Sequence, residues 1–152
     1  MNKKLRFYCS SIILTLASAT VAQGQQQETL LLRNPSISQN HISFVYGGDI
    51  WIAGRDGSNP KRLTVNPDVE RNPMFSPDGK QIAFTGNYDG NVDVYTISVA
   101  GGEPKRITYH PAADVMRGWI NNQELYFTST QEFQYSLGSR LYKININKGK
   151  DE

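Results

Sequence analysis

A five-residue segment occurs twice. Pro60-Lys61-Arg62-Leu63-Thr64 returns as Pro104-Lys105-Arg106-Ile107-Thr108, 44 positions later. Asp49-Ile50-Trp51-Ile52 returns as Asp93-Val94-Tyr95-Thr96 at the same spacing. Arg33-Asn34-Pro35-Ser36-Ile37 returns as Arg71-Asn72-Pro73-Met74-Phe75 after 38 positions. The shorter offset implies six extra residues between these markers in the second copy, many of them in an expanded hairpin around Asp89-Gly90-Asn91. A third copy starts near Val115. It sets Leu125-Tyr126-Phe127-Thr128 opposite Ile82-Ala83-Phe84-Thr85, and Arg140-Leu141-Tyr142-Lys143 opposite the Trp51 and Tyr95 segments. Such self-similarity restricts a chain to units that bury their faces against copies of themselves.

Each copy reads as strands. Ile42-Ser43-Phe44-Val45-Tyr46 and Ile82-Ala83-Phe84-Thr85 are short, β-branched and aromatic, with roughly alternating sides. Turn chemistry separates them: Gly47-Gly48, Arg55-Asp56-Gly57, Ser76-Pro77-Asp78-Gly79, Asp89-Gly90-Asn91 and Gly101-Gly102. No window after residue 22 carries a helical period. A repeat of about 40–45 residues with four strands has the size of one propeller blade. The expected fold is therefore all-β, with β-propeller blades of four antiparallel strands. The first copy predicts strands at 34–37, 42–46, 49–53 and 61–64. The second predicts 72–75, 81–87, 92–99 and 105–108. The third predicts 115–120, 124–130 and 141–147, with no fourth strand before Glu152.

About three blades make an incomplete ring, because closure takes roughly four to eight. An open ring leaves a blade face and a strand edge unpaired. The sequence is thus expected to be the N-terminal piece of a longer polypeptide. The alternative is a small domain that closes by self-association as a homo-oligomer. Leu30-Leu31-Leu32 offers one more strand that could pair with a late blade.

The first 22 residues are read as a secretory signal peptide. Lys3, Lys4 and Arg6 precede an apolar stretch, 7–22, with small residues Ala17, Ser18, Ala19 and Ala22. Cleavage is expected after Ala19 or Ala22, and the polar run Gln23-Gly24-Gln25-Gln26-Gln27 favours Ala22. The competing reading is an uncleaved anchor, but the stretch is short for a membrane span of about 20 residues. Cys9 begins the apolar run instead of following it, so it does not fit a lipidated N-terminus. Cleavage leaves a polar linker, 23–29, and a propeller region, 30–152, with blades near 33–64, 71–108 and 115–147. It removes three cations and no acid, turning a formal charge of +2 into −1, and takes away the one cysteine. A charge of −1 gives no footing for nucleic-acid binding, and a cysteine-free chain holds no disulfide or Cys-rich zinc site. The expected location is exported, periplasmic or secreted, with no membrane attachment after cleavage.

Phe75-Ser76-Pro77-Asp78-Gly79-Lys80-Gln81-Ile82-Ala83-Phe84 resembles the blade signature of TolB-like, WD40-like propellers and of several propeller-bearing peptidases. A longer arrangement is more specific. Arg33 to Ile37 and Ile42 to Trp51, then Val69-Glu70-Arg71-Asn72-Pro73 and Phe84 to Tyr95, resemble the opening of the tricorn protease family. Thr108-Tyr109-His110-Pro111 and Arg117-Gly118-Trp119 extend the resemblance over most of 30–147. It implies a large serine peptidase whose N-terminal propellers filter or channel peptides, followed by PDZ-like and peptidase domains. The implied partners are peptides or unfolded polypeptides. The catalytic residues implied by the family lie downstream, so none is assigned here and the fragment alone is expected to be inactive. Alternatives are a non-enzymatic TolB-like periplasmic scaffold and the propeller of a prolyl-oligopeptidase or dipeptidyl-peptidase relative.

The chain's own chemistry is sparse. It has no Gly-x-Ser-x-Gly, His-Glu-x-x-His or phosphate-loop motif. His41 and His110 are the only imidazoles; the first is expected in a hairpin turn, the second between blades. Surface-loop positions suit them better than a triad. Asp89, Asn91 and Asp93 have the spacing of a calcium-loop start, but Ala100 occupies the place of the bidentate Glu, so a hairpin turn is expected. Trp51, Tyr95 and Tyr142 take equivalent positions, read either as a peptide-binding ladder or, preferably, as packing between blades. Lys61, Arg62, Lys105 and Arg106 are read as a basic rim or as charges that protect a sheet edge. No cofactor or metal site is expected.

Overall fold

Alternating apolar residues and two-residue Gly turns fold this chain into three antiparallel sheets. The computed structural model describes residues 31–132 and 138–148. The expected signal peptide, Cys9, the linker and Leu30 lie outside them. The first sheet runs β1 (Arg33–Ile37), β2 (His41–Tyr46), β3 (Asp49–Gly54) and β4 (Lys61–Arg62). The second runs β5 (Arg71–Phe75), β6 (Gln81–Tyr88), β7 (Asn91–Ser98) and β8 (Lys105–Arg106). The third contains β9 (Asp114–Trp119), β10 (Glu124–Ser129) and β11 (Arg140–Asn145). Strand order follows chain order in every sheet, as in a propeller blade.

The hairpins follow from backbone freedom at two positions each. Gly47 and Gly48 (φ 63° and 96°) join Tyr46 to Asp49, while Asp89 and Gly90 (φ 55° and 78°) join Tyr88 to Asn91. Positive φ at both central residues matches the right-handed strand twist. The six extra residues of the second copy now have places. The six-residue strands β2 and β3 become the eight-residue strands β6 and β7. The remaining two lengthen the 38–40 turn into the 76–80 loop. In that loop Ser76 Oγ donates to Asp78 Oδ1 at 2.7 Å, and the Lys80 amide donates to the same oxygen at 3.1 Å. These donors hold the Asp78 carboxyl below the usual carboxylate range.

Two expectations need correction. The outer strands were expected to cover 61–64 and 105–108, yet they are the two-residue strands Lys61–Arg62 and Lys105–Arg106. The reason is that Thr64 and Thr108 turn their hydroxyls inward and take the Ile50 and Val94 amides at 2.9 and 3.0 Å. The Leu63 and Ile107 amides still donate to the Ile50 and Val94 carbonyls at 2.8 Å each, so side-chain oxygen replaces only the other half of the next rung. Leu31 and Leu32 belong to no strand and are exposed.

The core lies between sheets. Ile50, Ile52 and Leu63 of the first blade meet Ile82, Phe84, Tyr95 and Ile97 of the second. Ala83, Val94 and Ile107 of the second meet Met116, Leu125, Phe127 and Ile146 of the third. Alternation therefore gives the two central strands of the middle blade, β6 and β7, two buried faces, one toward each neighbour. The first strands of successive blades approach one another, so β1, β5 and β9 form the inner wall.

Candidate functional site

The inner wall is built from the Arg-Asn-Pro recurrence. Asn34 and Asn72 adopt left-handed backbone conformations, with φ of 48° and 54°. Asn tolerates this region better than most residues because its short amide bonds locally. In each strand the Asn-Pro pair opposes a single residue of the next strand, which shifts the register between Arg33 and Ser36 and between Arg71 and Met74. These are β-bulges. Proline is suited to an inner edge, where no further strand needs its missing N–H. The bulges bring Asn34 Nδ2 to within 3.3 Å of Asn72 Oδ1, linking the first two blades across the wall. On β9 the corresponding irregularity falls at Arg117, between residues paired with Tyr126 and Phe127.

A cleft of about 520 Å³ opens beside this link. Arg33, Asn34 and Arg71 line it, together with Leu31, Val69 and Glu70. Both arginines are exposed. Among the described residues neither forms an ion pair, whereas Arg62 and Arg106 do.

Glu70 closes the back of the cleft and is wholly buried. Its Oε2 accepts from the Ile50 amide at 3.0 Å and from the Thr64 hydroxyl; its Oε1 accepts from the Tyr88 hydroxyl. Burial pushes the Glu70 carboxyl above its usual range, against these three donors. Burial and the neighbouring Glu70 carboxylate likewise push the Tyr88 hydroxyl far up. Asp114, 44 positions further on, repeats the arrangement beside Ser129 and Thr108. Its carboxyl is also raised, chiefly by burial. Here Asp93 takes the Thr108 hydroxyl at 3.0 Å, and Asp114 Oδ1 has no partner among the described residues.

The structure disposes of the sequence candidates as follows. His41 is not in a turn: it opens β2, and its backbone carbonyl and amide close the turn from Ser38. His110 Nδ1 accepts from the Ala112 amide at 3.0 Å and so organises its own loop. Neither imidazole is hydrogen-bonded to a hydroxyl among the described residues. Asp89 and Gly90 form the hairpin, Asn91 Nδ2 donates to Asp93 and to the His110 carbonyl at 2.8 Å each, and Asp93 pairs with Arg106. These contacts and the Thr108 hydroxyl occupy both carboxylate oxygens of Asp93, the third position of the suggested calcium-loop start. Among the described residues no cluster of His, Cys, Asp and Glu is arranged to hold a metal.

The aromatic trio divides. Tyr95 stacks on Phe84 with centroids 5.7 Å apart, inside the core between the first two blades. Tyr142 stacks on Phe127 at 5.6 Å and packs against the second core. Trp51 lies on the opposite face of the first blade, edge-on to Tyr46 at 6.0 Å. The recurrent cations are internal ties more than a rim. Lys61 Nζ and Lys105 Nζ donate across blades to the Ala100 and Ile146 carbonyls at 2.8 and 2.7 Å. Arg62 pairs with Asp49 at 2.7 Å, and Arg106 with Asp93.

Arg33, Arg71 and Glu70 lie within recurring motifs, but the sequence alone assigns them no role. The recurrence of Arg33 and Arg71, and of an acid at 70 and 114, was the available signal.

Two four-stranded sheets and a three-stranded one, each in chain order and packed face to face around a bulged inner wall, define a β-propeller segment. The chain belongs to the tricorn protease N-terminal β-propeller domain family, whose model matches residues 29–152. It is 32% identical over 124 residues to a Tricorn-like protease N-terminal subunit of Sulfurisphaera tokodaii, covering 78% of this chain and 63% of that protein. The crystal structure of the tricorn protease superposes with a TM-score of 0.65 and 27% identity, over 74% of this chain and 12% of that one. A Tol-Pal system protein TolB of Desulfosudis oleivorans is 35% identical over 69 residues, 43% of this chain and 16% of its own length. The chain thus spans less than two thirds of each of these relatives.

Proposed function

We propose that this chain is the N-terminal propeller segment of an exported tricorn-like serine peptidase. It guides peptides along its inner wall toward a catalytic domain outside these 152 residues. The observation that carries this reading is the match of the family model to residues 29–152. The polar, bulged inner wall supports it, because side chains there can meet a passing peptide without building a tight pocket. The basic, then apolar, then small-residue start of the chain supports export. The bound species are peptides or unfolded polypeptides; hydrolysis belongs to the downstream domain.

The test uses the whole parent enzyme. Pro35 is exposed on the inner wall, so Pro35→Trp should narrow the route without touching either core. Turnover of decapeptides should fall while turnover of a short chromogenic substrate holds. An unchanged ratio of the two rates would refute guidance. A second reading, a TolB-like interaction scaffold without peptidase activity, is favoured by the TolB match over 69 residues. Sequence downstream of Glu152 separates them: a PDZ-like module and peptidase domain support the first, a stop after five or six blades the second.

A further inference from the structure

Cations occur in two structural settings in this repeat. Lys61, Arg62, Lys105 and Arg106 each have a named partner: a carbonyl of the next blade or an aspartate of their own. Arg33 and Arg71 recur just as faithfully, yet neither is paired among the described residues. Both are exposed, and both line one cleft of the inner wall. The one carboxylate lining that cleft, Glu70, is already committed to Ile50, Thr64 and Tyr88. The innermost strands carry a single acid, Asp114, which is buried. The cleft therefore presents two exposed guanidiniums that pair directly with no carboxylate among the described residues, with the buried Glu70 behind them and Asp68 beyond Arg71.

We propose that the Arg33–Arg71 cleft binds the acidic side chains of extended peptides. A guanidinium offers paired donors whose fork matches a carboxylate, so planar anions suit this site better than a point charge would. Two like charges in one cleft add their potentials, and an arriving anion lowers their mutual repulsion. Leu31 and Val69, 62% and 48% exposed, supply apolar surface for the methylenes of a glutamate. The cleft volume lies within the usual range for small-ligand sites. The bulge at Asn34 and Asn72 sets the geometry, since each arginine immediately precedes a left-handed asparagine and the two asparagines touch. This inference rests on the peptide-guiding reading and names the chemistry of the peptide.

The experiment measures fluorescence anisotropy with the full chain and three labelled, C-terminally amidated peptides: hexaglutamate, hexaserine and hexalysine. Amidation leaves side-chain carboxylates as the only anions tested. Hexaglutamate should bind about tenfold or more tightly than hexaserine at low salt, as expected for charge-assisted hydrogen bonds, and lose that advantage at high salt. Arg33→Gln with Arg71→Gln should abolish the preference, and the paired lysine variants should restore part of it. Lys80→Gln, which removes an exposed cation away from the cleft, should leave it intact. Equal affinity for all three peptides would overturn the proposal while leaving peptide guidance standing. Failure to bind any peptide would overturn both. An unchanged preference in the double glutamine variant, with wild-type near-ultraviolet circular dichroism, would also overturn the proposal.

Discussion

Glu70→Ala removes three hydrogen bonds from the contact between the first two blades. The consequences differ for each donor. The Ile50 amide keeps Thr64 Oγ1 at 2.9 Å, so truncation does not orphan it. The Thr64 and Tyr88 hydroxyls lose the carboxylate that each donates to. A buried hydroxyl left unsatisfied costs about 1–3 kcal/mol, so losing the acceptor of both puts the alanine variant about 2–6 kcal/mol below wild type. That is a large share of the roughly 5–15 kcal/mol that stabilises a typical domain. Glu70→Gln should behave differently. Its amide oxygen still accepts from Thr64, its NH2 meets a Tyr88 oxygen that can accept, and no charge is buried. It should stay within about 1 kcal/mol of wild type near neutral pH.

The two variants also separate by pH. Burial raises the folded-state Glu70 carboxyl above its ordinary 4.5. The folded chain therefore holds this proton more tightly than the unfolded chain does. The resulting stability is fully present below the ordinary value and is lost as pH rises through the folded value. Within that window wild-type stability falls by up to about 1.4 kcal/mol per pH unit. Asp114, also raised by burial, acts with the same sign. Urea titrations of the full chain from about pH 4.5 to neutrality should give a shallower slope for Glu70→Gln than for wild type. Parallel slopes, or a Glu70→Ala midpoint equal to wild type, would show that Glu70 does not tie the blades together.

Tyr95→Ala should cost about 3–5 kcal/mol, as for a buried aromatic, while Trp51→Ala on the outer face should cost less than half as much; equal losses in urea would contradict the assigned faces. Gly86→Ala places a Cβ 3.2 Å from the Tyr88 and Tyr95 rings, so overpacking of about 1–3 kcal/mol is expected, read as a lower melting temperature. Lys61→Met and Lys105→Met each remove one cross-blade tie and should lower stability by about 0.5–1.5 kcal/mol; an unchanged double variant would show that these ties are solvated at no net gain.

Strand positions were legible because the pattern that writes a strand is local. Ile42-Ser43-Phe44-Val45 alternates, and Gly47-Gly48 or Asp89-Gly90 fixes where the chain reverses. The bulges were less legible. A residue before proline is ordinarily pushed toward extended backbone, so the Asn34-Pro35 pair gave no local sign of a left-handed asparagine. That conformation depends on the opposing strand and on Asn72 in another blade. Glu70 was hidden for a related reason. Its partners come from Ile50, Thr64 and Tyr88, and only folding brings these together. Lys61 and Lys105 look like solvated edge charges in sequence, because the carbonyls they reach lie about 40 positions away.

The two clamps also show what one methylene does. Glu70 is long enough to take both the Thr64 hydroxyl and the Ile50 amide from the preceding blade. Asp114 stands at the matching place with a shorter side chain. Its carboxyl meets the Ser129 and Thr108 hydroxyls, Thr108 also donates to Asp93 of its own blade at 3.0 Å, and Asp114 Oδ1 is left without a partner among the described residues. Both clamps thus join two blades through a carboxylate, but in the second the threonine hydroxyl is shared with an aspartate of its own blade. Each hairpin sheet alone would expose a full apolar face, so stability resides between blades. At both contacts the carboxylate sits beside an apolar cluster, at the second Met116, Leu125 and Phe127 packed against Ala83, Val94 and Ile107. The repeat conserves strand geometry in both places while distributing polar and apolar contributions differently at the two interfaces.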